Sequence, residues 1–312
     1  MPTDFDRFFL NLPPFDRERD FNDFWKKAFQ DLKRVPIEPT YDLSSRRSTQ
    51  RFDLYEVTFR GYNKSRVTGE ILYPKGARRA KFAVCLHDYN RPLAYQQAYL
   101  DIDLAYFFIR LRGHELIEKR ATDQEPSSPG YLVDGILELD NYYAKGVYLD
   151  AFRAIDVLRL NSKFDSSEIG MMGKGFGAAA AVFATSFSDR VSALVIDTLA
   201  FCCLPVSQNS STSDATNEIN AFIETHKTKK RAVKTNLTYF DAINYADRIT
   251  CPVLATVGLK DRIAPPECVF SFFNHLQVDK TMEVYPDEGN TAGSENQLVK
   301  SIKWMKGFLL EP

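Results

Sequence analysis

From residue 82 onward, short apolar runs alternate with stretches in which apolar residues recur every three to four positions. Residues 82–86, 106–110, 169–172, 191–196, 253–257 and 282–285 read as buried strands. Between them, Tyr148, Ala151, Phe152, Ile155 and Leu158 mark an amphipathic helix, and Leu298, Ile302, Met305 and Leu309 mark another near the end. A further helix is expected over residues 266–276. Strands that alternate with helices predict an α/β fold, a mostly parallel sheet with helices on both faces.

The first 80 residues follow a different rhythm. Residues 1–20 read as an extended arm, after which Asn22 caps a helix to about residue 33 with Phe21, Trp25, Ala28 and Leu32 on one face. Pro36 and Pro39 stop it, and two β-like runs at 54–59 and 67–73 form a hairpin around Gly61-Tyr62-Asn63-Lys64. No shift in composition separates this N-terminal helix and hairpin extension from the rest. Residues 1–312 are therefore expected to form one domain, with 1–50 as arm and helix. Two segments, 113–145 and 200–245, read as excursions over the pocket side. The first carries Pro126, Pro129, Gly130 and Gly135; the second has a polar loop at 207–217 before a helix at 218–225.

Composition narrows the function. Forty basic against 41 acidic residues leave a net charge of −1, too weak a field to recruit nucleic acid or an anionic membrane. The 24 Phe and 15 Tyr point to an aromatic core before an aromatic-lined pocket. Five cysteines without CxxC spacing argue against a disulfide framework or a metal site, and no cofactor motif is present. The opening residues Met1 to Arg7 lack the charged-then-apolar pattern of a signal peptide and no apolar run reaches the roughly 18–20 residues of a membrane span, so a cytoplasmic location is expected.

In an open α/β sheet, chemistry sits beyond the carboxyl ends of the strands. The densest such end is Ile169 to Ala181, a short strand, the crowded turn Gly173-Lys174-Gly175-Phe176-Gly177 and a small-residue helix. That layout resembles the nucleophile elbow of α/β-hydrolases, Gly-x-Ser-x-Gly, with Gly175 where the serine would stand. Lys174 is expected to point away from the pocket. Two later strand ends carry Asp261 and the loop Tyr285 to Gly293. The order of the three matches nucleophile, acid and histidine.

Wider stretches sharpen the likeness. Asp23-Phe24-Trp25, Tyr55 to Tyr62, Tyr89-Asn90, Arg112-Gly113, Pro129-Gly130 with Gly135-Ile136-Leu137, Tyr142-Tyr143, Tyr239-Phe240-Asp241 with Asn244, and Val257 to Asp261 with Pro265-Pro266 occur in order along most of the chain. Together they resemble the acetyl xylan esterase/cephalosporin C deacetylase family of α/β-hydrolases. The resemblance implies that the backbone amides of Tyr89 and Phe176 form an oxyanion hole and that Asp261 is the acid of the triad. It also implies that Gly175 and Asn290 occupy the serine and histidine positions without those side chains. The expected ligand is an acetylated carbohydrate or small acyl ester, and the expected assembly a homo-oligomer such as a hexamer.

Glycine offers no attacking oxygen, and an asparagine amide cannot carry a proton near neutrality. Loss of either catalytic side chain costs on the order of 10⁶ in kcat. The sequence thus predicts a pseudo-esterase, which the double change Gly175→Ser with Asn290→His would partly revive. Two other readings stay open: an active acyl esterase with relocated catalytic groups, and a chain kept for assembly with itself or a paralogue.

Overall fold

The computed structural model describes residues 4–91, 98–99, 104–114 and 130–310. Among these, nine strands pair into one sheet: β1 (Thr40–Leu43), β2 (Phe52–Arg60), β3 (Arg66–Pro74), β4 (Lys81–Leu86), β5 (Ala105–Ile109), β6 (Asp165–Gly175), β7 (Val191–Leu199), β8 (Val253–Gly258) and β9 (Lys280–Tyr285). Their spatial order is β1-β2-β3-β5-β4-β6-β7-β8-β9. Pairing is antiparallel from β1 through β3 to β5 and parallel from β5 through β9.

The two-residue period of the strands sorts side chains onto the two faces. On β4, Phe82, Val84 and Leu86 join a cluster that includes Trp25, Tyr148 and Phe183. Ala83 and Cys85 turn the other way, toward Ile302, Met305 and Leu309. The first face is covered by α2 (Phe21–Lys33), α3 (Tyr143–Arg159) and α4 (Phe176–Ser186), and the second by the last helix, α9 (Ser294–Leu310). Most of the aromatic excess is spent here: the Trp25 ring lies 4.4 Å from Phe183, and Phe183 lies 5.0 Å from Tyr148. Gly170 lets α9 press onto β6, since a Cβ there would meet Met305 Sδ at 2.2 Å.

Several local expectations need correction. The N-terminal arm contains a short helix, α1 (Asp4–Phe9), whose Phe5, Phe8 and Phe9 surround Phe270 on α8 (Pro266–His275). Helix α2 starts one residue before Asn22, which accepts a hydrogen bond from Arg248 instead of capping. Edge strand β1 went unpredicted because its four residues have no buried face to imprint a pattern. The polar stretch 207–217 is not a loop. It spans the end of α5 (Leu204–Ser210) and the start of α6 (Asp214–Thr225), with only a short break between. Pro205 stands in the first turn of α5, and the Ser213 hydroxyl caps α6 by accepting the Thr216 N–H at 3.1 Å, so serine-rich composition here serves helix ends. Within the excursion 113–145, residues 115–129 lie outside the described part, and α3 already begins at Tyr143. The basic run Lys227 to Arg231 is exposed on α7 (Lys230–Thr238) and the turn before it. All five cysteines are free thiols.

Candidate active site

Strand β6 ends at Gly175 and α4 begins at the next residue, so the chain reverses within one peptide. Gly175 takes φ 56° and ψ −120°, a region that strains any residue with a Cβ. Gly177 brings the start of α4 against the end of β4, where a Cβ would meet the His87 carbonyl oxygen at 2.2 Å. That close approach sets the amides of Tyr89 and Phe176 side by side. They converge on one atom, each donating to Asp88 Oδ1 at 2.8 Å. The two amides the resemblance assigns to an oxyanion hole thus lie together, and the chain's own carboxylate accepts from both.

Asp88 also fills the space a side chain at 175 would need. An ideal Cβ on Gly175 would stand 1.9 Å from Asp88 Oδ1 and 2.1 Å from its Cγ. Burial pushes the Asp88 carboxyl up to about 6, although the Phe176 and Tyr89 amides, Lys174 and Arg91 pull the other way. Sequence reasoning passed over this residue. It lies 88 positions from Phe176, and only its place beside Tyr89 at a strand end marks it.

Tyr89 is fixed from its far end. Its hydroxyl donates to the Glu218 carboxylate at 2.9 Å and accepts the Tyr131 N–H at 3.0 Å, while Glu218 accepts the N–H groups of Gly130 and Leu132. Helix α6 and the segment after residue 129 are thereby tied to the hole.

Across the sheet end, Asp261 follows β8 and accepts the amides of Ile263 at 2.7 Å and Ala264 at 3.0 Å. Its second oxygen accepts the Asn290 side-chain amide at 3.3 Å, and the same amide nitrogen donates to Thr198 Oγ1 at 3.1 Å. Burial raises the Asp261 carboxyl, and these donors oppose the shift. Lys174, contrary to expectation, reaches toward this loop: its ammonium binds Asp197 at 2.8 Å and the Asn290 carbonyl at 3.1 Å. A long side chain on an exposed strand end follows the nearest carboxylate and carbonyl, whichever way its neighbour turns.

None of the four histidines serves as Asp261's partner. His87 Nε2 accepts the Leu111 N–H, so Nδ1 donates to the Asp88 carbonyl, and burial lowers its pKa to about 3. His114 accepts the Asn90 N–H and donates to the Arg112 carbonyl. His226 stacks on Phe222, and His275 bonds the Pro13 carbonyl. Thr291 donates to Glu288. Asp88 lines two cavities. The larger, about 280 Å³, also contains Arg91, Lys174, Asn290 and Gln297. The smaller, about 160 Å³, contains Tyr89, Phe176, Phe201 and Asp214. Among the described residues no group of His, Cys, Asp and Glu side chains could hold a metal, and no helix is long and apolar enough to cross a membrane.

Comparison with known proteins gives this arrangement its setting. The family model described as Acetyl xylan esterase (AXE1) matches residues 13–308. The chain belongs to the acetyl xylan esterase family. A curated relative, the acetyl esterase Axe7A of Xylanibacter ruminicola, is 24% identical over 95% of this chain and 68% of its own length. Among solved structures, an acetyl xylan esterase from Paenibacillus sp. R4 superposes with a TM-score of 0.89 at 25% identity, covering 99% of this chain and all of that one. Acetyl xylan esterase 1 from Thermoanaerobacterium sp. JW/SL YS485 superposes with a TM-score of 0.84 at 20% identity, over 98% of both chains, which speaks for the fold. The sheet, its order and its helical cover are those of an α/β-hydrolase, as in these acetyl xylan esterases and in the Pyrococcus horikoshii acylaminoacyl peptidase (TM-score 0.61 at 14% identity, over 85% of this chain and 43% of that one).

Proposed function

We propose that this chain is a non-hydrolysing member of the acetyl xylan esterase family, one that keeps the esterase frame and a carbohydrate- or ester-binding pocket without cleaving esters. One observation carries the reading: at the elbow Gly175 faces the Asp88 carboxylate, while Asp261 faces the amide of Asn290. Ester hydrolysis in such a frame needs an oxygen nucleophile and a base within hydrogen-bond reach of each other. Gly175 has no side chain to supply the first. Asn290 can hold Asp261 in place, but its amide neither takes nor returns a proton near pH 7.

The names of the relatives favour an acylated carbohydrate as the ancestral substrate class, and the cavities beside Asp88 suit a small polar ligand. At about 280 Å³, the larger stands near the lower limit of small-molecule pockets. Purified protein mixed with an activated acetate ester should release acetate no faster than a heat-killed control. Turnover clearly above that control, which co-elutes with the chain through successive purification steps and so is not a contaminating esterase, would end this reading.

A further inference from the structure

The oxyanion hole of an esterase works because its amide protons are available to an acyl oxygen. Here both are taken. Asp88 Oδ1 accepts from Tyr89 and Phe176 at 2.8 Å each, which leaves the site with an acceptor where an ester carbonyl would need donors. The other carboxylate oxygen, Oδ2, lies 2.5 Å from where a Cβ on Gly175 would be, and among the described residues none hydrogen-bonds to it. Asp88 lines both cavities, with the rings of Tyr89, Phe176 and Phe201 around the smaller one. In the larger cavity Arg91 and Lys174 balance the carboxylates of Asp88 and Asp197, so its lining carries no net charge and favours a neutral ligand group over an ionic one. What remains is a neutral donor.

Taking the non-hydrolysing reading as the starting point, we infer that Asp88 turns the hole into a subsite for a ligand hydroxyl, so that the chain binds unacylated carbohydrate in preference to its acetylated form. An ionised carboxylate only accepts hydrogen bonds. A sugar hydroxyl donates to Oδ2, whereas an acetyl ester at the same place brings two acceptor oxygens against it and satisfies nothing. Sites built around a hydrogen bond to a hydroxyl reject analogues that lack it more strongly than apolar pockets reject an added group. Gly175 is the other half of the device, since any larger residue would evict the carboxylate.

Titration calorimetry with xylotriose and with acetylated xylotriose at pH 7.5 tests this on the full chain. The free trisaccharide should bind at least about tenfold tighter, the value of one hydrogen bond to a charged acceptor. Asp88→Ala should bring the ratio close to one. Asp88→Asn, which can keep the contact to both amides while presenting an N–H₂ group, should shift preference toward the acetylated sugar, and it carries the test if the alanine variant does not fold. Equal or tighter binding of the acetylated sugar by the wild type, a ratio unmoved by either variant, or binding of neither sugar overturns the inference. Acetate released by the wild-type chain during titration would instead sink the non-hydrolysing reading, whereas an inert chain with no preference sinks only this one.

Discussion

The two halves of the candidate site are built in different ways. At the β4–α4 junction the parts that matter are backbone amides, and they stand ready: Tyr89 and Phe176 converge on one point. At the ends of β8 and β9 the parts that meet are side chains, the carboxylate of Asp261 with Asn290 as its partner. Backbone donors are fixed by the fold itself, by the turn at Gly175 and the close packing at Gly177, so they persist while the fold persists. Side-chain chemistry can change one residue at a time without disturbing the frame. In the first half the paired amides are therefore occupied by Asp88, and in the second Asp261 is held by the Asn290 amide.

The contrast is most sharply tested by undoing both kinds of change. With Asp88 in place, Gly175→Ser and Asn290→His together should give little hydrolysis of an activated acetate ester, because the new serine collides with the carboxylate and the amides remain occupied. Adding Asp88→Ala should raise the rate by on the order of 10²–10³, the usual worth of an oxyanion-hole donor. If the double variant is already as fast as the triple one, the filled hole is not the obstacle.

A smaller effect is expected on stability. Gly175→Ser alone should lower the melting temperature by on the order of 5 °C, from a strained backbone and a displaced carboxylate. The same change in an Asp88→Ala background should cost clearly less. Equal losses in both backgrounds, read by calorimetry, would show that positions 88 and 175 do not compete for space.

The smallest effect concerns pH. With its carboxyl raised from the ordinary 3.8 to about 6, Asp88 binds a proton in the folded chain that the unfolded chain has already released. Stability from this group is thus present at low pH and falls as pH rises from about 4 to 6, then levels off. Asp88→Asn lacks the titration, so its melting temperature minus that of the wild type should grow across that window. Asp241 and Asp261, also raised, cancel in the difference. A flat difference would mean that Lys174 and Arg91 hold Asp88 ionised throughout.

Much of this was legible in the chain before any coordinates. The central strands announce themselves because each is buried on both faces and bounded by turns, and Phe21, Trp25, Ala28 and Leu32 are the buried stripe of α2. Where burial leaves no imprint, as on β1, or where serines cap helices, as at Ser213, pattern reading failed. The pairing of Asp261 with Asn290 was approachable through the order of strand ends. That of Asp88 with the elbow was not, because nothing local at residue 88 says which distant turn leaves room for its carboxylate. Lys174 was misread for a related reason: its direction is set by Asp197, on the next strand.

The absent β-carbon at Gly170 has a consequence for chemical wear. With the Met305 thioether resting on the β6 main chain and fully buried, an oxidant in solution does not reach the sulfur. Oxidants should therefore spare this methionine while the last helix stays docked, and its conversion to the sulfoxide would record each occasion on which that helix had lifted away.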